Sequence, residues 1–531
     1  MRKILLLFIV LMLFASCRSV KTYNRQITKL HPVEDLHNDV DKLYQQLQKH
    51  HPKLYQYTPK AVLDFKFDSL KKTIIKPINS RDFYKKLSPV VTHVRQGHVS
   101  VGSVSKQFTK KERKVLEENK FEFYDLDFEY LDNKLWVEDY RGNDSTLIGN
   151  EVVRIAGEEV SDLIKIFKTR FASDGYNTTF FNTTISKGFT VFYLRDKGFL
   201  DSLQVTFKTK DSLFERVFRR IPKEGNKDTL GVNDTISIKK DKPKKLTKDQ
   251  KLEKRLAKRK KRKDNRKYGY LSKRKEYTRN FNFIGEDSTI GYMKLRSFTN
   301  GNYKKFYKES FKKLDSAKTK HFILDLRDNG GGRISEIDYL YGFLTNKDYQ
   351  FITESEVNSR TPFLKAMMAN TTPNSIKVAV AILSPIVVIY DVLKTKKRDG
   401  KFYYRFNKHS KIKSPNPLNY KGKMYVLING SSFSASSLLS THLKATKRAT
   451  FVGEETGGAY NGTVAGIYKI YQLPTTKLNV RMGLMQIEAP QKQEPDGYGI
   501  KPDVEIIPTI NDRNSKKDPE LEWILSDIGQ N

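Results

Sequence analysis

One cysteine in 531 residues leaves this chain no internal disulfide. Long apolar runs are missing as well. Residues 4–14 and 378–393 are its marked apolar stretches, and both fall short of the roughly 20 residues that cross a bilayer. Hydrophobic residues make up 38%, too few for a polytopic membrane protein. None of the nine histidines stands in a recognised zinc spacing, so no metal and no other cofactor is expected. Acid is scarce, with 60 Asp and Glu against 98 Lys and Arg for a net charge of +38. That excess is local. Between Lys239 and Lys275 stand twenty basic residues and four acidic ones, the pattern of a solvated or disordered insertion. Leu252 and Leu256 within it, one helical turn apart, allow a short exposed helix. Such a segment can meet anionic lipid or glycan. It lacks the interleaved aromatics of a nucleic-acid module, and nucleic acid is not expected as a partner.

The N-terminus has a purpose of its own. Arg2 and Lys3, the apolar run 4–14 and the small residues Ala15 and Ser16 make a secretory signal. Leu13-Phe14-Ala15-Ser16-Cys17 resembles a bacterial lipobox. It implies removal of residues 1–16, lipidation of Cys17, and a protein exported and lipid-anchored in the cell envelope, facing the periplasm.

The remaining length suggests two to four domains. After a tether (17–30), helical spacing of Leu43, Leu47 and Leu54, punctuated by Pro52, Pro59 and Pro77, predicts a helical domain over 31–105. It ends in Gln96-Gly97-His98, a glycine turn into a strand. Alternation from Phe121 to Val137, then the turns at Gly149 and Gly157, predicts a small β domain over 118–175 that resembles a PDZ domain. Such domains capture an extended chain as an added strand. A β-rich stretch (190–221) leads to the basic insertion (222–276). A compact α/β domain over 281–510 follows, then a tail (511–531). Within the α/β domain, the apolar run 378–393 with Pro385 at its middle reads as core or lid.

Two segments of that domain could carry chemistry. Phe322 to Arg327 is a buried strand running into Asp328-Asn329-Gly330-Gly331-Gly332. Glycines there bare backbone amides that can donate to a developing oxyanion. Met424 to Ile428 is a second buried strand, followed by a turn and a helix starting near Ser434. A serine at a helix start sits near the positive end of the dipole, which favours an alkoxide. Serine is also a preferred helix cap, and five serines lie between Ser431 and Ser437. Chemistry alone does not rank them.

These segments resemble the carboxyl-terminal processing peptidases and their tricorn-core relatives. The chain carries Asp325-Leu326-Arg327-Asp328-Asn329-Gly330-Gly331, Ser434-Ala435-Ser436, Gly453-Glu454-Glu455-Thr456 and Gly499-Ile500-Lys501-Pro502-Asp503 in the family's order. The resemblance implies a ClpP/crotonase-like α/β fold, a serine endopeptidase acting on unfolded or C-terminal segments of envelope proteins, and Ser434 as nucleophile. Two positions depart from the pattern. Ser437 replaces a glutamate, and Ala459 stands where the processing proteases place their lysine base. The tricorn-like branch implies His98 as base, with His93 nearby, and Asp496 as the assisting carboxylate, with Glu494 its neighbour. Lys469 is the remaining lysine. Gly330 or Gly331, with Ala435, would supply the oxyanion amides. The departures leave open a catalytically inactive, peptide-binding lipoprotein that keeps the fold.

Overall fold

The computed structural model describes residues 19–142, 144–210, 212–223, 247–272, 275–285 and 288–530. Cys17, the run 4–14 and part of the basic insertion lie outside the described residues.

The large α/β domain is built on a six-stranded sheet in the order Arg279–Ile284, Ile290–Leu295, His321–Asp325, Lys423–Ile428, Thr450–Gly453, Val504–Glu505. The first pair is antiparallel and every later pair is parallel. Its central strands are apolar on both faces, as a sheet covered twice requires. Helices Tyr303–Ser316, Ile334–Leu344 and Ala435–Ala445 contribute to the main core on one face. Helix Pro519–Gln530 closes the other through Ile524 against Ile323, Tyr425 and Val452. The expected tail is therefore in part a docked helix, held because Arg327 meets Asp518 at 2.7 Å.

A second, antiparallel sheet stands beside it, built mainly on the hairpin Thr463–Gln472 and Asn479–Ile487. The N-terminal strand Ser100–Gly102 joins this sheet, with Ser100 opposite Arg481. The helical domain thereby delivers Gln96-Gly97-His98 to the α/β domain. The expected tether differs too: Val20–Thr28 is a helix, and Ile27 is buried.

The predicted small β domain is larger than its sequence signal. Its seven-stranded sheet runs from Asn119–Phe121 to Leu213–Pro222, and its own core takes in Phe189, Phe207 and Phe218. Residues 190–197, expected as strand, end the helix Thr179–Lys197. The β-branched and aromatic residues there favour a strand locally. Ile185, Phe189, Phe192 and Tyr193 nevertheless share one buried helical face, and that packing prevails.

The two longest helices among the described residues lie at the surface. Lys248–Tyr268 is a capped helix with no buried residue. Asn374–Lys394, expected as core or lid, is a surface helix. Ile382 on it is 74% exposed and Ile386 67%, so core packing does not hold it.

Candidate active site

The five serines are distinguished by what their hydroxyls do. Ser432 Oγ donates to the Leu326 carbonyl at 2.8 Å, Ser436 Oγ to Asn329 at 2.7 Å, and Ser437 Oγ to Ser432 at 3.0 Å. Ser431 Oγ accepts from Lys187 at 3.1 Å. Ser434 occupies the cap position of helix Ala435–Ala445 and makes no capping bond with its side chain. Its backbone is held at φ 57°, ψ −113°, a conformation that costs a non-glycine residue about 1–3 kcal/mol and is kept where neighbours enforce it. The neighbours are visible. Asn329, fully buried, accepts Phe433 N–H at 3.0 Å on its carbonyl and sends Nδ2 to the Leu295 carbonyl at 2.8 Å. The Asp-Asn-Gly-Gly turn and the serine turn are one braced unit.

Gly331 shows how tightly they meet. Its φ is +100°, and a β-carbon there would lie 2.8 Å from Ala435 N and 2.9 Å from Ser434 Cβ. Its amide, expected as an oxyanion donor, already donates to Asn329 Oδ1 at 2.9 Å. It is committed to bracing the turn. The exposed Gly330 and the Ala435 amide, in a first helical turn that offers it no intrahelical acceptor, are the donors left for an oxyanion.

His98 is buried, its ring stacked between Phe433 (centroids 5.1 Å apart) and Tyr468 (5.7 Å). Phe433 immediately precedes Ser434, so the histidine is fixed against the serine turn. Nδ1 lies 3.0 Å from Thr463 Oγ1. With Nδ1 protonated and donating, Nε2 keeps its lone pair, the tautomer a general base needs. Burial, then the charge of Arg481, pushes His98 down to about 3, so the resting imidazole is neutral.

The carboxylate on this side is Asp174. It is fully buried and accepts Gly97 N–H at 2.8 Å, which holds the turn that carries His98. Its Oδ2 makes no well-aligned hydrogen bond. Burial pushes the carboxyl up to about 7, partly offset by the Gly97 amide, the Thr463 hydroxyl and the Ala459 amide. Thr463 thus stands between His98 and Asp174. Neither Thr463 nor Asp174 was singled out in the sequence. Asp174 lies in an ordinary polar turn before Gly175, and Thr463 opens an ordinary strand. Ala459, which replaces the expected lysine, contributes its amide here.

The structure places the other named residues elsewhere. Asp496 accepts Gln56 Nε2 at 2.9 Å and Asn461 Nδ2 at 3.0 Å, and it is not hydrogen-bonded to His98. Glu494 is exposed. The His93 carbonyl accepts the Thr58 hydroxyl, and its imidazole, half-buried, is pushed down by burial. Lys469 faces the helical domain, 2.8 Å from His50 Nε2, with its amine pushed down to about 8 by burial and then by Lys365 and Lys49. Among the described residues no group of three His, Cys, Asp or Glu is placed to hold a metal ion.

Other motif residues are scaffold. Asp325, fully buried, is kept ionised despite its burial by Arg327 and Lys294. Glu455 Oε1 accepts Gly499 N–H at 2.6 Å and Thr456 Oγ1 accepts Ile500 N–H at 2.9 Å, which stitches the last two motifs together.

Residues 289–506 match peptidase family S41. The fold is similar to that of mature CPAF complexed with lactacystin, with 14% identity and a TM-score of 0.60 over 94% of this chain and 98% of that one. A second structure of mature CPAF gives 14% identity and a TM-score of 0.56 over 91% and 94%. The photosystem II D1 C-terminal processing protease aligns at 12% identity and a TM-score of 0.39 over 89% and 93%. No curated protein matches the chain. The match places the α/β domain over residues 289–506, which contains the braced serine turn, in peptidase family S41 as the domain of a serine-type peptidase.

Proposed function

We propose that the chain hydrolyses peptide bonds in unfolded or C-terminal segments of envelope proteins through an acyl-enzyme on Ser434. The observation that carries this reading is the singular state of Ser434, the one serine of its turn with left-handed φ and no bond spent on capping. In the proposed reaction His98 Nε2 takes the proton of Ser434 as Oγ attacks the carbonyl carbon. It returns that proton to the leaving amine, and water then repeats the cycle on the ester. The Gly330 and Ala435 amides stabilise the oxyanion. A dry pocket makes the imidazolium costly, so Asp174, acting across Thr463, offsets its charge.

Substrate would reach the site through the cleft of 400 Å³ lined by Phe128, Tyr130, Lys187, Asp328, Asn429 and Arg513, between the β domain and the serine turn. Capture by strand addition would use the edge strand Leu126–Leu131, where the Tyr130 amide already donates to Ser186 Oγ at 2.8 Å. We assign export and anchoring to Cys17, and contact with anionic lipid or glycan to the basic segment between Lys239 and Lys275.

Ser434→Ala should abolish both hydrolysis of a denatured protein and labelling by a fluorophosphonate. Hydrolysis that survives this change refutes the assignment. A wild-type chain that resists the reagent yet binds extended peptides would favour the inactive, peptide-binding alternative.

A further inference from the structure

Helix Asn374–Lys394 has its polarity inside out. The side chains nearest the fold recur at 377, 380, 384, 387, 388 and 391, a helical stripe, and Lys377, Ser384 and Asp391 are among them. The outward face is apolar: Ile382, Ile386, Ile389 and Leu393 are 59–74% exposed. A surface helix in water shows the reverse arrangement.

We propose that this helix lies in the membrane interface, with its outward face among acyl chains, as a second anchor beside the N-terminus. Where the chain outside the structure ends supports this occupant. Residues 1–18 precede helix Val20–Thr28, and Gln26 Nε2 of that helix donates to the Thr475 carbonyl at 2.9 Å. Asn370 and Thr371, just before the apolar helix, donate to the carbonyls of Gln472 and Ile470 at 2.7 and 3.0 Å. Helix Val20–Thr28 and the start of the apolar helix therefore both meet the hairpin 463–487 at its turn end. Beyond the helix, Lys396 and Lys397 are exposed before the turn at Asp399 and Gly400, while Arg398 and Lys401 pair with Glu354 and Glu356; the two lysines suit anionic headgroups.

The helix lies along the surface and does not span. Its start is tied to strand Thr463–Gln472, and Asp391 near its end accepts Leu364 N–H at 3.1 Å, so both ends belong to one folded body. An amphipathic helix binds the interface in proportion to the apolar area it buries there, whatever the N-terminus adds. The hairpin also sets a distance. Thr463 at the far end of its strand holds His98, at most about 30 Å from the membrane end at about 3.3 Å per residue.

The inference uses the lipoprotein reading only for where residues 1–18 go, and the test removes that dependence. In a full-length Cys17→Ser chain, Ile386→Cys is the sole thiol and takes an environment-sensitive fluorophore. With vesicles of phosphatidylethanolamine and phosphatidylglycerol, its emission should rise at least about twofold and be quenched by brominated acyl chains. A fluorophore at Leu213→Cys, exposed on the β domain, should not respond. In the same Cys17→Ser background, Ile382→Glu with Ile386→Glu should cut the vesicle-bound fraction about tenfold and leave hydrolysis in solution unchanged. An unresponsive Ile386→Cys probe would overturn the proposal. So would equal vesicle binding by the glutamate variant, or a probe change that follows protein concentration without lipid, the mark of a second copy on this face. Loss of Ser434 labelling belongs to the peptidase reading alone.

Discussion

Replacing Thr463 with Val keeps the volume but removes the oxygen that meets His98 Nδ1 at 3.0 Å. His98 then loses its preferred tautomer and its link toward Asp174, and kcat should fall about a hundredfold with KM little changed. Asp174 adds a pH dependence. Its carboxyl titrates near 7 while His98 titrates near 3, so over the neutral range the imidazole is already neutral and only Asp174 changes charge. Activity should rise with pH through about 7 as Asp174 ionises. In Asp174→Asn that limb should vanish and the plateau drop, and persistence of the limb would take Asp174 out of the mechanism. The glycines give a contrast of a different kind. Gly330→Ala places its methyl in open space, whereas Gly331→Ala drives one into Ala435 N and Ser434 Cβ. The first should keep activity within a few-fold and the second should lose at least about a hundredfold, since misplacement by about 1 Å costs that much. The serine turn was legible because it stands among four motifs in a fixed order. Asp174 and Thr463 were not, because a carboxylate in a polar turn and a threonine opening a strand look the same whether or not folding carries them to a histidine some 76 or 365 positions away.

At the scale of elements, Arg327 joins the sheet to the last helix. It lies between buried Asp325 and the C-terminal pair Asp518 and Glu520. Arg327→Met strands two buried carboxylates and should cost about 3–5 kcal/mol. Asp518→Asn leaves the inner pair intact, and since Asp518 is 38% exposed it should cost about 1 kcal/mol or less. Urea midpoints of the two variants check the order. The same helix shows where periodicity alone fell short. Residues 511–531 are charged and short, and what makes Pro519–Gln530 an ordered element is the apolar surface of Ile323 and Tyr425 waiting for Ile524, which no local pattern reports. The opposite error fell on residues 378–393. Apolar composition read as core or lid, yet composition cannot say which way a face points, and this one points outward. The parallel strands were legible for the converse reason: buried on both faces, they read as uninterrupted apolar runs.

For the whole molecule, the response to acid follows from groups that folding holds away from their usual protonation. Burial pushes His50 and His442 down to about 4, and His51 and His98 down to about 3. Unfolded, all four titrate near 6.5. Between about pH 6.5 and 4 the unfolded chain therefore binds protons that the fold refuses, and stability falls as pH falls. Asp174 and Glu129 act in the other direction, because burial pushes both up to about 7. From about pH 7 to 4 the folded chain holds their protons while the unfolded chain has lost them, so each adds stability as pH falls. Four histidines against two carboxyls leave the unfolded state about two protons ahead near pH 5, a loss of about 2–3 kcal/mol per pH unit from these six groups. The urea midpoint should drop steadily from pH 6.5 to pH 4.5, and Glu129→Gln, which removes one opposing carboxyl, should make that drop steeper. A midpoint that is flat or rises over this range would mean that the four histidines are not held neutral in the fold, and His98 would then lose the dry environment on which its pairing with Asp174 depends.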